Sequence, residues 1–139
     1  MSGLRIFDSY PLLAWLRNEP SASIVDAMLD ESMASPEPTI LMSWVNVGEA
    51  YYMASRKISR EAAEELLKLL PDLPIRLIAP TPDDFVAAAK LKAQWRISYA
   101  DAFVAALGMA NRAPVVTGDP ELRAMSAILE VQWIGPPVH

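Results

Sequence analysis

The sequence predicts an α/β fold in which a parallel sheet carries helices on both faces. Three observations lead there. Short apolar runs alternate with helical patterns along the chain, which implies βαβ crossovers. The runs are almost continuously apolar, as parallel strands buried on both faces must be. The 12 prolines fall mostly where one element gives way to the next. With 139 residues, 53% of them apolar, the chain is expected to bury its own core as one domain spanning 1–139.

The elements follow in order. LRIF (4–7) is a strand, and Pro11 suits the first turn of the helix YPLLAWLRN. From Ser21, SASIVDAMLDESMA sets Ile24, Met28 and Met33 among acids, an amphipathic helix. Past the breakers Pro36 and Pro38, TILM (39–42) is a second strand, and Ser43 caps the helix SWVNVGEAYYMA. Ser59 caps REAAEELLKLL, which Pro71 and Pro74 close. IRLIA (75–79) is a third strand. In TPDD, Thr81 is the N-cap, Pro82 is N1 and Asp84 completes a capping box, opening a helix that runs to about Trp95. Ser98 starts the next helix and Asn111 is its left-handed stop. APVVT (113–117) is a fourth strand, DPELRAMSAI a short helix and EVQWI (130–134) a last strand.

Composition removes several chemistries. There is no Cys, hence no disulfide and no thiolate nucleophile, in keeping with a reducing compartment. The single His is His139, which disfavours histidine acid–base catalysis. Neither a G-x-S-x-G elbow nor a phosphate-binding glycine loop occurs. No basic segment followed by a long apolar run opens the sequence, and no uncharged stretch approaches the ~18 residues of a membrane span. A cytoplasmic protein without membrane contact is expected. The net charge of −5 gives no bulk attraction for nucleic acid.

Four acids stand out. In open α/β sheets, ligands bind beyond the carboxyl ends of the strands. The first strand ends in Asp8 and the fourth in Thr117-Gly118-Asp119. Glu49 and Asp101 interrupt otherwise apolar helices. Each has a structural explanation. Asp101 sits three residues after Ser98, where a capping box has its acid; Asp119 precedes Pro120 as an N-cap would; Asp8 can cap the first helix; Glu49 can face water. Together they weigh differently. Two carboxylates ~4 Å apart repel by about 4 kcal/mol at an effective dielectric near 20. Such a cluster persists only if protons or a cation neutralise it. Oxygen ligands without Cys or a nearby His select Mg²⁺ or Mn²⁺.

In this order, Asp8, the pair Asn46 and Glu49 (N-x-x-E), S-x-A-D-A (98–102) and T-G-D (117–119), the sequence resembles the PIN-domain ribonucleases, and among them the VapC-like toxins of type II toxin–antitoxin pairs. The resemblance implies an α/β/α sandwich with sheet order 3-2-1-4-5. It implies metal and catalytic roles for Asp8, Glu49, Asp101 and Asp119, a catalytic orienting hydroxyl at Thr117, and supporting polar groups at Ser9, Asn46 and Ser98. It further implies an RNA substrate cut by a cation-activated water, a cognate antitoxin and a homodimer.

Basic residues cluster at Arg56, Lys57 and Arg60, and at Lys90, Lys92 and Arg96. Such groups are ordinary solvated charges; read functionally, Arg96, Lys92 and Arg56 position RNA phosphates. Trp15, Trp44, Tyr51 and Tyr52 suit the core at helical spacing, or else a dimer contact or a groove for an antitoxin helix. Two other readings stay open: a housekeeping PIN nuclease of RNA processing, and an interaction module without metal. A phospho-acceptor receiver domain is set aside, because the third strand ends in Ala79-Pro80 rather than in an acid.

Overall fold

A computed structural model describes residues 3–137. Five strands, β1 (Arg5–Phe7), β2 (Ile40–Ser43), β3 (Ile75–Ile78), β4 (Val115–Thr117) and β5 (Val131–Trp133), form one sheet in the order β3-β2-β1-β4-β5. All neighbouring strands are parallel, with Ile6 opposite Leu41, Phe7 opposite Val116 and Thr117 opposite Trp133. The parallel sheet expected from the alternation and the strand order expected from the resemblance are both present. The helices are α1 (Ser9–Leu16), α2 (Ala22–Met33), α3 (Trp44–Lys57), α4 (Arg60–Leu69), α5 (Pro82–Gln94), α6 (Tyr99–Asn111) and α7 (Pro120–Arg123).

The pleat sends successive side chains to opposite faces, and each face has its own core. Phe7, Ile40, Met42 and Val116 pack with Leu12 of α1, Val25 of α2, Val47 of α3 and Leu66 of α4. Ile6, Leu41 and Val115 pack with Ala88 of α5, Phe103 and Val104 of α6 and Leu122 of α7. The strands therefore read as unbroken apolar runs because both of their faces are covered.

The cap chemistry is local. The hydroxyls of Ser43, Ser59 and Thr81 accept backbone N–H groups at the starts of α3, α4 and α5, and Thr81 and Asp84 complete their box. Four expectations need correction. The left-handed residue after α6 is Arg112 (φ 49°), not Asn111, whose side chain instead donates to the Leu107 carbonyl. Helix α7 stops at Arg123, and residues beyond it turn through shorter bonds such as Met125 N–H to the Leu122 carbonyl. On α2 the buried stripe is Val25, Met28, Leu29 and Ser32, while Ile24 and Met33 face water. Of the aromatic residues, Trp15 and Tyr51 pack against core clusters, but Trp44 and Tyr52 are exposed. The single histidine, His139, lies outside the described residues. Among the described residues no helix is long and apolar enough to cross a membrane.

The topology fixes where a ligand belongs. The chain runs outward from β1 through β2 to β3, then returns to place β4 on the other side of β1. Strand order reverses between β1 and β4, the strands that end in Asp8 and Thr117.

Candidate metal centre

Asp8 leaves β1 and caps α1: its Oδ1 accepts the Tyr10 N–H at 2.9 Å. Its Oδ2 accepts the Thr117 hydroxyl at 2.5 Å. The same hydroxyl oxygen accepts the Asp119 N–H at 2.9 Å, so one threonine fixes the ends of both switch-point strands. Asp119 in turn caps α7, its Oδ1 accepting the Glu121 N–H at 2.9 Å. The caps anticipated for Asp8 and Asp119 exist; the cap at Asp119 uses one carboxylate oxygen, whereas Asp8 accepts a hydrogen bond on both.

Asp101 behaves differently. Ser98 caps α6 by accepting the Asp101 N–H at 3.1 Å. The reciprocal bond that completes the box at Thr81–Asp84 is not made here. The Asp101 residue is 2% exposed, and its Oδ2 is buried without a hydrogen-bond partner. The capping explanation therefore accounts for Ser98 and not for the Asp101 carboxylate.

Glu49 is half-buried on α3, and the hydroxyl of nearby Ser9 donates to Met53 Sδ at 3.7 Å. Asn46 is fully buried; its Nδ2 donates to the Ala100 carbonyl at 3.1 Å and ties α3 to the start of α6. Its Oδ1 has no hydrogen-bond partner.

These carboxylates feel one another. Burial, opposed by the Thr117 and Tyr10 hydrogen bonds and helped by the charges of Glu49 and Asp119, pushes the Asp8 carboxyl up to about 7. Burial, then the hydrogen bond and charge of Asp119, then the charges of Glu49 and Asp8, push Asp101 up to about 9. Burial raises Glu49 as well, with Asp119 adding to it. Four acids from four elements thus share one electrostatic environment at the switch point.

One acid escaped the sequence reading. Carboxylate oxygens of Asp101, Asp119 and Glu121 lie within 4.8 Å of one another. Full charges at that spacing repel by about 3 kcal/mol at an effective dielectric near 20. The available signal was the T-G-D-P-E run, since an acid two residues past an N-cap stays beside it.

Beside the acids lies a cavity of about 260 Å³, with Asp8, Ser9, Glu49 and Asp119 in its wall and Lys57 and Arg17 also lining it. The three basic residues singled out for RNA are elsewhere. Arg56 stacks over the Tyr52 ring at 5.3 Å, Lys92 donates to the Ile97 carbonyl at 2.9 Å, and Arg96 is exposed outside the cavity.

Several solved structures share this fold. VapC20 of Mycobacterium tuberculosis, described as a sarcin-ricin loop cleaving toxin, superposes with a TM-score of 0.69 at 16% identity, covering 91% of this chain and 98% of that one. VapBC2 of Rickettsia felis, bound to a DNA fragment from its promoter, gives 0.69 at 15% identity over 93% and 97% of the two chains. VapBC-5 of M. tuberculosis, a member of the VapBC family of toxin–antitoxin systems, gives 0.58 at 16% identity over 97% and 100%. No curated protein matches the chain in sequence. The family model for the PIN domain matches residues 5–128, from β1 past α7 and through all four converging acids, and the chain belongs to the PIN domain family.

Proposed function

We propose that this chain is a divalent-cation-dependent endoribonuclease and the toxin of a type II toxin–antitoxin pair, acting in the cytoplasm as a single catalytic domain. The observation that carries the reading is the convergence of Asp8, Glu49, Asp101 and Asp119, with an unpartnered, buried Asp101 oxygen among them. Buried anions are tolerated when paired or coordinating a metal.

The donor set fits Mg²⁺ or Mn²⁺. It offers carboxylate and amide oxygens with no sulfur, and Asp101 Oδ2 and Asn46 Oδ1 are both buried with lone pairs to give. Asp101, Asp119 and Glu121, whose oxygens lie within 4.8 Å of one another, would hold the ion, with Asp8 and Glu49 direct or through water. When bound, such a cation neutralises the carboxylates and supplies a water acidic enough to attack a phosphodiester near neutral pH.

The chain's own residues do the rest. Thr117 donates to Asp8 and accepts from the Asp119 N–H, which holds two acids in one arrangement. Asn46 fixes the distance between α3 and α6, and so between Glu49 and Asp101. Glu49 lines the cavity with Ser9, and its carboxylate would accept the proton that the attacking water loses. Attack by water rather than by the RNA 2′-OH leaves 5′-phosphate and 3′-hydroxyl ends.

Exposed apolar side chains on α3 (Trp44, Tyr52), α5 (Phe85, Val86) and α6 (Tyr99) support a protein partner, an antitoxin or a second copy of the chain. The test is to express wild type and Asp8→Asn in cells and map RNA ends. Metal-dependent ends bearing 5′-phosphate, present with wild type and lost with Asp8→Asn, are expected. Cyclic-phosphate ends formed in EDTA would overturn the reading. Growth arrest relieved by a neighbouring gene distinguishes a toxin from a housekeeping nuclease.

A further inference from the structure

We infer that the cavity beside the acids seats one nucleotide of a single-stranded RNA, with the Tyr10 ring stacking on its base and Lys57 holding a neighbouring phosphate. This rests on the nuclease reading above and names how its substrate is held.

The cavity is a trough between two helices whose lining repeats every four residues. On α3 the row is Glu49, Met53, Lys57; on α1 it is Ser9 and Leu13, continued by Arg17 at the helix's C-cap. Residues four apart share one helix face. Each row runs from a polar group at the sheet edge, through an apolar residue, to a cation. At 1.5 Å per residue the cations stand about 12 Å along the helices from Glu49 and Ser9. Lys57 makes no ion pair among the described residues, whereas Arg17 meets Glu19 at 3.6 Å.

Tyr10 supplies the aromatic face. It lines the same cavity and is only partly buried. Its ring lies over Gly118, where even a Cβ would collide with it. The ring is thus held beside Asp119 before any ligand arrives. A platform fixed in advance loses little freedom when a base stacks on it.

Size and charge select the occupant. About 260 Å³ is below the ~300–1,000 Å³ of sites for drug-sized ligands and suits one base. The occupant must tolerate acids at one end and, at the other, Lys57 beside the Arg17–Glu19 pair, which also lines the cavity. A phosphodiester strand does so, reaching the acids through the cation they would hold and Lys57 directly. A basic side chain from a protein would suit Asp8 and Glu49 but would leave the charge of Lys57 unmatched.

The probe is a fluorescein-labelled, phosphorothioate-linked single-stranded RNA hexanucleotide, titrated by anisotropy against the full chain in Mg²⁺. The unmodified strand is assayed for cleavage in parallel. Lys57→Gln is expected to weaken binding about three- to tenfold and to lower the salt slope of log K by about 0.7, one phosphate contact on a single strand. It raises KM by more than it lowers kcat. Tyr10→Leu weakens binding about tenfold and Tyr10→Phe restores it. Mn²⁺ affinity by calorimetry stays at the wild-type value in Lys57→Gln and Tyr10→Phe. This pattern without cleavage of the unmodified strand supports the seat and overturns the nuclease reading. Cleavage with Lys57→Gln unchanged in affinity and salt slope, or with Tyr10→Leu equal to Tyr10→Phe, overturns the seat, leaves the nuclease reading standing and gives the cavity to a protein partner.

Discussion

A charge on Asp101 would lie where water cannot reach one of its oxygens and no donor replaces the water. Asp101→Asn keeps the shape and removes the ionisable group, so two effects separate. Without metal the protein should become more stable near pH 8, read as a higher Tm in EDTA. Mn²⁺ affinity should fall tenfold or more by calorimetry, with cleavage lost alongside. Thr117→Val tests the other side of the centre. It leaves the buried Asp8 carboxylate and the Asp119 N–H without their shared partner, at about 1–3 kcal/mol. Urea melts should show that loss, and Thr117→Ser should recover most of it. At this scale the sequence marked acids where they contradicted their surroundings: at strand ends, or in apolar helices. Glu121 contradicts nothing, being an exposed acid in a helix's first turn, and so went unmarked. Lys57 lay in a basic cluster, but which member faces the acids depends on its phase relative to Glu49 on α3.

Elements were legible where a side chain does the capping. Ser43, Ser59, Thr81 and Ser98 each accept a backbone N–H at the expected start of a helix, because that bond is local and needs no tertiary context. Ends were less legible. Asn111 keeps helical geometry and Arg112 takes the left-handed turn, an outcome decided by how α6 hands over to β4. Gly108 shows the tertiary side of that junction. A Cβ there would meet Val115 Cγ2 at 2.8 Å, Leu129 Cδ1 at 3.0 Å and the Ala113 carbonyl at 3.3 Å. Alanine gains about 1 kcal/mol of helix propensity over glycine. Overpacking against β4 costs about 1–3 kcal/mol. Gly108→Ala should therefore destabilise on balance, seen as a lower urea midpoint, although the same change at an open helical glycine such as Gly48 should stabilise.

For the whole molecule, the acidic cluster couples folding to pH and to the cation. An unfolded chain releases the Asp8 and Asp101 protons near the ordinary value of 3.8. The folded chain keeps them until about 7 and about 9. Between those limits the folded state binds more protons at these two sites, so their contribution to stability without metal is greatest below pH 4 and falls as pH rises toward 9. That is opposite in sign to an acid paired with a base, whose stability is lost on acidification. The cation reverses the trend, because its ligands must be deprotonated to bind it and binding competes with protons. At pH 8, Mn²⁺ at 100 times its Kd should add about 2.7 kcal/mol. For a chain of this size that is on the order of 8 °C in Tm. At pH 5 the same Mn²⁺ should add little. Thermal melts at both pH values, with EDTA and with Mn²⁺, check the prediction. A Tm in EDTA that climbs from pH 5 to pH 8 would mean that the four carboxylates do not share one desolvated centre, whatever the fold around them.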